Sequence, residues 1–338
     1  MAETSPEPRV SVVIPTYNRE HVLPRALASV LSQDFADLEV VIIDDGSRDE
    51  TPARVAGIAD PRVRYTRFDK NRGIGAARSA GVEASRGDLV AFLDSDDRWK
   101  PGKLKEVVRF FDQHPEVDFA FSDYENIDYV RGATDHGFEL AARLMQGLRT
   151  VPLEDGWWRI EDGVPETLLA TNFVGTASVV ALRRKVFEKA GNFRTDLSGP
   201  EDLEFWWRAA VLGARFAYTD RVMVERHKDR DGITSRKRAF APQRMRALEA
   251  CEQTALRVER PDLLEAVRRA RLSTTCDLVE ACAQEGLRWE ALRAFRSSLR
   301  FGFSRDATKY LALAMAGPRL VSLGRRVLGR SPSATGAI

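Results

Sequence analysis

The sequence has few cysteines and no long apolar run. Its three cysteines, Cys251, Cys276 and Cys282, form no CxxC pair and are odd in number, which disfavours a disulfide framework or a zinc knuckle. No stretch of about 18 apolar residues occurs, so we expect no transmembrane helix. The first nine residues are polar and lack the basic-then-apolar order of a secretory signal. These absences predict a reduced, cytoplasmic protein.

Three widespread catalytic signatures are missing as well. The sequence contains no GxxxxGK(S/T) phosphate loop, no HExxH zinc motif and no GxSxG nucleophile motif. Kinases, zinc proteases and α/β-hydrolases are therefore disfavoured. The chain does have 338 residues, of which 43% are hydrophobic and 30% charged. That length and composition suit one large domain, or one domain with a smaller appendage.

The small net charge of +2 hides two regions of opposite sign. Residues 1–230 carry 32 basic and 39 acidic side chains, whereas residues 231–338 carry 20 basic and 11 acidic ones. The positive excess is concentrated in Arg288–Arg330, where 10 basic and 2 acidic residues alternate with apolar ones. Such a region favours an anionic partner, such as a membrane surface or a polymer. A solvated helical face explains it equally well.

Short apolar, β-branched runs alternate with segments of helical periodicity in the first two thirds of the chain. Helical spacing appears at residues 22–31, 74–84 and 104–111. This alternation predicts an α/β fold with a mostly parallel central sheet, followed after residue 240 by amphipathic helices. Residues 126–170 lack a clear period and are predicted to be irregular. The predicted strands are Val10–Ile14, Leu38–Ile43, Val63–Thr66, Leu89–Leu93, Val117–Phe121, Thr176–Leu182, Arg215–Tyr218 and Val222–Arg226.

An acidic cluster follows one of the predicted strands, in the order Asp94, Ser95, Asp96, Asp97. Three carboxylates within four residues repel one another unless a cation lies among them. A hard divalent ion such as Mg²⁺ or Mn²⁺ suits this cluster and keeps open positions for diphosphate oxygens. The alternative is an acidic, solvated turn. Because ligands bind at the carboxyl ends of strands in open α/β sheets, the cluster should lie beside other strand ends.

Two of those strand ends carry polar motifs that suit a nucleotide. Asp45, in the segment DDGS, can accept hydrogen bonds from a base or a ribose, unless the segment simply forms an Asx turn. After the first strand, Tyr17 can stack on a nucleobase and Arg19 can bind phosphate. The alternative there is a plain strand exit in which Asn18 caps a helix. We expect these two strand ends and the acidic cluster to converge.

A glycine-rich segment, an acidic helix start and a histidine complete the set. Residues 71–78 (NRGIGAAR) allow close approach to a helix N-terminus, with Arg78 in its first turn; tight helix packing explains the glycines equally. Glu201 and Asp202 open a helix, as the helix dipole alone would favour. Asp202 is nevertheless our candidate base for an acceptor hydroxyl. His227 is a candidate metal or diphosphate contact, although a lone histidine is more often structural.

Taken together, these segments resemble glycosyltransferase family 2, the inverting enzymes with the GT-A fold. The similarity covers about residues 8–230 and keeps the order and spacing of the motifs. The resemblance implies a GT-A (nucleotide-diphospho-sugar transferase) fold with a helical region after it. The matching segments are VSVVIPTYNR (Val10–Arg19), VIIDDGS (Val41–Ser47), NRGIGAARSAG (Asn71–Gly81), GDLVAFLDSDD (Gly87–Asp97) and EDLEFWWR (Glu201–Arg208).

The resemblance also implies roles for individual residues. Pro15, Tyr17 and Asp45 would line the base pocket, usually for uridine. The other donor-binding residues would be Arg19, Arg78, Asp94 and Glu201. Asp94 and Asp96 would form the DxD-type pair, with Asp96 the leading metal ligand and Asp97 the alternative one position later. His227 would be a further metal or diphosphate contact. Asp202 would be the catalytic base.

The implied activity is that of a hexosyltransferase-type glycosyltransferase (EC 2.4). With Mn²⁺ or Mg²⁺, it would move a sugar from a nucleotide diphosphate donor, usually of UDP, to a saccharide or lipid-linked acceptor in cell-surface polysaccharide biosynthesis. Asp202 would take the acceptor proton in a single, inverting displacement. The QxxRW motif and transmembrane bundle of processive relatives are missing from the sequence, so we expect addition of one or a few sugars. No nucleic-acid partner is expected.

Two other functions stay open at this point. A sugar-1-phosphate nucleotidyltransferase would need a glycine-rich loop after the first strand, where PTYN stands instead. A non-catalytic nucleotide-sugar-binding protein would keep the motifs without turnover. Trp157 and Trp158 are predicted to lie in the core, with stacking on acceptor sugars as the alternative.

The predicted domain organisation has four parts. They are a disordered segment at 1–9, a nucleotide-sugar-binding half at 10–125, an acceptor and catalytic-base half at 126–235, and a basic helical region at 236–338. The expected location is the cytoplasm, with a peripheral position at the inner face of the membrane through the basic region.

Overall fold

The computed structural model of this chain describes residues 7–128, 133–139, 145–227 and 237–316. The chain divides into two compact units, residues 1–167 with 173–229 and residues 168–172 with 230–338. The first unit is an α/β domain whose sheet contains both parallel and antiparallel strands, and the second unit is helical. The predicted basic segment Arg288–Arg330 is described up to residue 316, and its remainder lies outside the described residues.

Strands and helices alternate through the first part of the chain. The strands are β1 (Val10–Thr16), β2 (Leu38–Asp44), β3 (Val63–Arg67), β4 (Leu89–Phe92), β5 (Arg98–Trp99), β6 (Phe119–Asp128), β7 (Ala133–His136), β8 (Arg149–Pro152), β9 (Trp157–Asp162), β10 (Val180–Arg183) and β11 (Phe216–His227). The helices are α1 (Leu23–Leu31), α2 (Thr51–Ala56), α3 (Ile74–Ala84), α4 (Lys103–Gln113), α5 (Val164–Ala170), α6 (Lys185–Ala190) and α7 (Glu201–Val211).

The described strands form one sheet in the order β3-β2-β1-β4-β10-β6-β11-β9-β8, with β5 paired to β11 and β7 to β6. The first four strands of this order are parallel to one another, whereas β10 runs antiparallel to both β4 and β6. All residues of β1, β2 and β4 are buried, which explains why these strands read as continuous apolar runs in the sequence. The carboxyl ends of β1, β2 and β4 therefore lie at one edge of the sheet.

Parts of the sheet differ from the sequence prediction. β11 is a single strand of 12 residues, where the sequence predicts two strands. Its register against β6 shifts between Thr219 and Val222, so the polar pair between them bulges without ending the ladder. β10 begins at Val180 instead of Thr176, because residues 177–179 form a 3₁₀ turn.

The segment 126–170, predicted to be irregular, contains the strands β7, β8 and β9. The last residues of β6, which ends at Asp128, belong to this segment and to the sheet as well. Helix α5 also lies in this segment. These strands are short, and β9 pairs with β11 from far along the chain. Local periodicity therefore carries little information about them, because their partners supply the pairing and the burial.

Helices pack on the sheet through small and aromatic side chains. In α3, a Cβ at Gly81 would lie 2.3 Å from Cγ1 of Val13 in β1, so this glycine serves tight helix–sheet packing. The start of α7 is anchored in an aromatic cluster, in which the ring of Phe193 lies 4.6 Å from Phe205 and 5.4 Å from Phe92. Phe205 and Trp206 are fully buried, which fixes the position of α7 against the sheet.

The second unit contains the helices α8 (Lys237–Arg257), α9 (Pro261–Gln284), α10 (Arg288–Ser298) and α11 (Arg305–Ala316). Helix α9 contacts each of the other three. Small residues line their contact: Cys282, Ala283, Ala291 and Ala314 form one buried cluster. The amphipathic helices expected from the sequence are therefore present in this region.

The described residues contain no helix that is both long and apolar enough to cross a membrane. None of the three cysteines, all of which are described, takes part in a disulfide.

Candidate active site

The loops that follow β1 and β2 are tied together by hydrogen bonds. The amide of Asp45 donates to the carbonyl of Thr16 at 2.8 Å, and the amide of Asn18 donates to Oγ of Ser47 at 2.9 Å. Asn18 has a left-handed backbone with φ of 53°, which asparagine tolerates. Its side-chain oxygen accepts from the amide of Arg48 at 2.8 Å. Since α1 begins without a side-chain cap, Asn18 joins two loops and caps no helix.

Asp45 reaches from the end of β2 to the glycine-rich segment. Its two carboxylate oxygens accept hydrogen bonds from the amides of Arg72 at 2.6 Å and Gly73 at 2.8 Å. Burial raises the pKa of Asp45, and the two amide hydrogen bonds oppose that rise. The local turn is made by Asp44 instead, whose Oδ1 accepts from the amide of Ser47 at 2.7 Å. Asp45 therefore holds the glycine-rich segment beside the ends of β1 and β2.

Asp96, in the acidic cluster after β4, lies against the β1 loop and α1. Arg19 forms an ion pair with Oδ2 of Asp96 at 3.2 Å, and Arg25 of α1 donates to the backbone carbonyl of Asp96 at 2.8 Å. The side chain of Asp96 is 26% exposed. These contacts bring the carboxyl ends of β1 and β4 together, as the sequence predicts.

Asp97 follows Asp96 in the chain and is only 2% exposed. Its Oδ2 accepts from Oγ of Ser178 at 2.6 Å, and its Oδ1 accepts from the amide of His227 at 3.1 Å. Burial, followed by the charges of Asp96 and Asp94, raises the pKa of Asp97 well above its usual value. Asp97 thus connects β4 to the turn before β10 and to the end of β11.

Arg78 joins the acidic cluster to the start of α7. Its guanidinium is buried and pairs with Asp94 at 2.6 Å and also with Glu201. Burial alone would lower the pKa of Arg78, but the carboxylates of Asp94, Glu201 and Asp202 raise it above its ordinary value. Arg78 therefore stays charged and holds carboxylates from two distant parts of the sequence in one place.

The start of α7 can lie this close to α3 because of a glycine. A Cβ at Gly75 would lie 2.4 Å from the carbonyl oxygen of Arg194 and 3.4 Å from Cγ of Glu201. A separation of 2.4 Å is below any normal contact, so a larger residue would push the loop before α7 away. Gly75 therefore allows the pairing of Arg78 with Glu201.

Asp202 lies in the first turn of α7 and is partly exposed. Its Oδ1 accepts from the amide of Leu203 at 2.6 Å. Burial and the charge of Glu201 raise its pKa to about 7, while Arg78 opposes the rise and Asp94 adds to it. A carboxylate with a pKa near neutrality can take a proton from a substrate hydroxyl at neutral pH. The electrostatic interaction with Asp94 means that Asp202 shares one site with the acidic cluster.

Within the part of the chain that the structure describes, no group of three or more His, Cys, Asp or Glu side chains is arranged to hold a metal ion. A cation bound with a nucleotide needs only one or two carboxylates, because the phosphates supply further oxygens. Asp96, partly exposed and beside Asp94, meets that requirement. Both oxygens of Asp97 already accept protein hydrogen bonds, and Nε2 of His227 lies 3.7 Å from Glu225. The donor set fits a divalent cation that binds together with a diphosphate.

Several residues at the site escape sequence reasoning. Thr176 and Ser178 donate from their hydroxyls to carboxylates of the acidic cluster, but they come from a turn far along the chain and match no motif. Arg226 directly precedes His227 and faces the same cluster. Burial would lower the pKa of Arg226, but Tyr124 and the cluster's carboxylates raise it. In the sequence, Arg226 could have been found from its position at a predicted strand end, next to the candidate residue His227.

Of the remaining predicted residues, two lie at the end of β1 and two begin β9. Pro15 is buried in the last part of β1, and Tyr17 is 39% exposed in the loop that follows. Trp157 is 2% exposed and stacks at 4.0 Å on a phenylalanine of α4, so it belongs to the core, as predicted. Trp158 is partly exposed and stacks on a tyrosine of β11.

The glycosyl transferase family 2 model matches residues 11–190 of this chain. The succinoglycan biosynthesis protein ExoO of Rhizobium meliloti is 48% identical over 101 residues, which cover 30% of this chain and 29% of ExoO. The UDP-Glc:alpha-D-GlcNAc-diphosphoundecaprenol beta-1,3-glucosyltransferase WfgD of Escherichia coli is 33% identical over 119 residues, 35% of this chain and 47% of WfgD. The chain thus spans less than half the length of either relative.

Solved structures share the fold across most of the chain. TarS of S. aureus (residues 1–349), in complex with UDP-GlcNAc, has a TM-score of 0.57 at 19% identity and 91% coverage of both chains. The mannosyltransferase PcManGT from Pyrobaculum calidifontis, in complex with GDP-Man and Mn²⁺, has a TM-score of 0.53 at 20% identity, covering 92% of this chain and 86% of the other. At such identities the likeness concerns the fold, and it confirms the predicted GT-A class.

Proposed function

This chain belongs to glycosyl transferase family 2, and we propose that it transfers a sugar from a nucleoside diphosphate to an acceptor hydroxyl with inversion. The observation that carries the proposal is the bridge made by Arg78. It joins Asp94 of the acidic cluster to Glu201, next to Asp202. A site for a diphosphate with its cation and a base for the acceptor are the two parts that such a transfer requires.

The donor is proposed to bind at the ends of β1 and β2. Tyr17, exposed in the first loop, would stack on the base, with Pro15 and Asp45 beside it. The hydrogen bonds of Asp45 to the glycine-rich segment support a role in shaping the pocket wall. Arg19 and Arg78 supply positive charge towards the diphosphate. We propose a UDP-sugar as donor, because TarS is in complex with UDP-GlcNAc and the name of WfgD includes UDP-Glc.

We propose Asp96 as the main ligand of a divalent metal, Mn²⁺ or Mg²⁺, with Asp94 beside it. Asp96 is partly exposed, whereas Asp97 is buried. The proposed role of Asp97 is to hold the acidic cluster in place through its hydrogen bonds in the protein interior. His227 would support the same region through its backbone contact with Asp97. The bound cation would offset the negative charge that builds on the leaving diphosphate. The solved structure of PcManGT is a complex with GDP-Man and Mn²⁺, which supports the use of a metal in this fold.

Asp202 is the proposed catalytic base. The acceptor oxygen attacks the anomeric carbon, the bond from that carbon to the diphosphate oxygen breaks, and the acceptor proton passes to Asp202. One displacement inverts the anomeric configuration. The pKa of about 7 for Asp202 supports this role, because a base is most useful when its pKa is close to the working pH.

The acceptor is proposed to be a saccharide or a lipid-linked saccharide of cell-surface polysaccharide biosynthesis. The names of ExoO and WfgD support that class. With a lipid-linked acceptor, the protein would work at the cytoplasmic face of an anionic membrane. The excess of basic residues after position 230 suits such a surface.

A panel of nucleotide sugars tests the proposal. The full chain is heated with UDP- and GDP-sugars, each with and without Mn²⁺, and the melting temperature is recorded. We expect one donor class to raise it in the presence of Mn²⁺ by mass action, and release of the nucleoside diphosphate when an acceptor is added. Stabilisation without any turnover, against acceptors or water, would instead indicate a nucleotide-sugar-binding protein. If no nucleotide sugar stabilises the chain, the proposal is wrong.

A further inference from the structure

Helix α10 has two sides of opposite character. Ala291, Ala294 and Ser298 are buried, and their spacing puts them on one side of the helix. Trp289 and Arg293 lie on the other side and are exposed. At about 100° per residue, residues 289, 293 and 296 fall within an arc of roughly 60°.

The exposed side continues beyond the last residue of α10. The amide of Leu299 donates to the carbonyl of Phe295, and the amide of Arg300 donates to that of Ser297, so the chain winds on for another turn. Arg300 thereby extends the same side. We call Trp289, Arg293, Arg296 and Arg300, all of them exposed, the basic face.

Large exposed apolar side chains lie on the basic face or close to it in the sequence. Trp289 is 70% exposed, Phe303 is 68% exposed and Leu299 is 51% exposed. Of the six tryptophans, Trp289 alone is exposed, while the others are buried or partly buried. An exposed tryptophan with further apolar residues near it in sequence marks a surface that another body covers.

The charge of this region has a single sign. Residues 291–305 contain four arginines and no acidic residue. The nearest carboxylate before them, Glu290, pairs with Arg238 at 3.1 Å. The positive charge of the basic face is thus not compensated by acids of its own segment, and an anionic partner would complete it.

We propose that the basic face is a docking surface for an anionic lipid membrane. Tryptophan favours the headgroup level of a bilayer, and arginines beside it bind lipid phosphates. Leu299 and Phe303 add aliphatic and aromatic surface that suits acyl chains. Nucleic acid also attracts arginine and aromatic residues, but it offers no place for the aliphatic side chain. The proposal rests on the proposed function in that a lipid-linked acceptor gives the contact its purpose.

Vesicle flotation of the full chain tests this contact. We expect binding to phosphatidylcholine vesicles that contain about 30% phosphatidylglycerol, weaker binding as salt is added, and no binding to phosphatidylcholine alone. The test variant carries Arg293→Gln, Arg296→Gln and Arg300→Gln. Since each arginine near an anionic surface contributes to binding, we expect its partition coefficient to fall about 100-fold.

A matched control removes the same charge elsewhere. Arg54, Arg149 and Arg257 are exposed, and replacing all three by glutamine should change binding little. This control matters because residues 317–338, outside the described residues, contain four more arginines. If the two triple variants bind alike, general charge drives the contact and the proposal is wrong.

Trp289 reports the contact directly. On binding vesicles with brominated acyl chains, we expect its emission to be quenched, and Trp289→Phe should abolish most of that quenching. Unchanged Trp289 emission on bound protein would refute the proposal, as would binding of RNA but not of vesicles. Turnover with a water-soluble acceptor is measured in parallel. Loss of vesicle binding with turnover intact removes this inference only, whereas vesicle binding without any turnover counts against the proposed function only.

Discussion

Replacing Asp202 by asparagine should lower activity and raise stability in the same protein. In the folded chain, burial and the charge of Glu201 raise the pKa of Asp202 from its ordinary value of 3.8 to about 7. Between about pH 4 and pH 7 the folded chain therefore holds a proton that the unfolded chain has released. Stability falls as pH rises through this window, and the full cost of ionising Asp202 is present above pH 7.

The size of the effect follows from the shift. A difference of roughly three units corresponds to at most about 4 kcal/mol. Because Asp202 is partly exposed, solvent screening reduces this to about 1–2 kcal/mol. Asparagine keeps an acceptor for the amide of Leu203, which donates to Asp202 at 2.6 Å, but it carries no charge. We expect the melting temperature of Asp202→Asn at pH 8 to rise by about 1–4 °C, with a smaller gain at pH 5.

The activity should change in the opposite direction. Removing a general base costs about 10²–10⁴-fold in rate, so kcat of Asp202→Asn should fall by that factor while donor binding persists. For the unmodified protein, kcat/KM should decrease as pH falls below about 7, because the base becomes protonated. Three charged neighbours shape this profile, namely Glu201, Arg78 and Asp94.

The assays are thermal unfolding at pH 5 and pH 8, and release of nucleoside diphosphate at saturating donor. Asp37→Asn is the matched control, since Asp37 is exposed just before β2, at the opposite edge of the sheet. It should change neither quantity. Turnover within about threefold of the unmodified protein, or a loss of stability at pH 8, would refute the reasoning on Asp202.

Three more changes probe the site. Arg78→Gln should lower the free energy of unfolding by about 3–5 kcal/mol in a urea titration, because it leaves the buried Glu201 and the partly exposed Asp94 without their cation. A smaller loss than that of Arg62→Gln, which breaks a partly exposed pair, would contradict this. Gly75→Ala should cost about 1–3 kcal/mol, since its Cβ would lie 2.4 Å from a carbonyl oxygen, whereas Gly57→Ala, with 3.6 Å to its nearest atom, should be nearly neutral. Arg19→Gln should raise the affinity for Mn²⁺ without donor about two- to fivefold by calorimetry, because it removes one partner of Asp96, in a partly exposed ion pair; unchanged affinity would argue against Asp96 as the ligand.

The ends of some strands differ between the sequence prediction and the structure. The polar residues between Thr219 and Val222 suggest a break in the sequence, but β11 continues through them as a bulge. Conversely, residues 177–179 lie in a largely apolar run that predicts a strand, but they form a 3₁₀ turn. That turn carries Ser178, which donates to Asp97. In both places, pairing with a distant strand or a buried carboxylate decided the conformation, and local propensity did not.

The sequence by itself determined the class of fold and the residues that meet at one sheet edge. Buried parallel strands require continuous apolar runs, and such runs put whatever follows them at the carboxyl edge. The polar residues after β1, β2 and β4 could therefore be assigned to one site before any coordinates were known.

Only the tertiary structure determined the burial, partners and pKa of each of those residues. Asp96 and Asp97 are neighbours of the same type, yet one is 26% exposed beside Arg19 and the other is buried under hydroxyl and amide donors. The pKa of Asp202 likewise depends on Glu201, Arg78 and Asp94, and two of these come from far away in the chain. Burial and charge act through distances in space, which spacing along a sequence does not record.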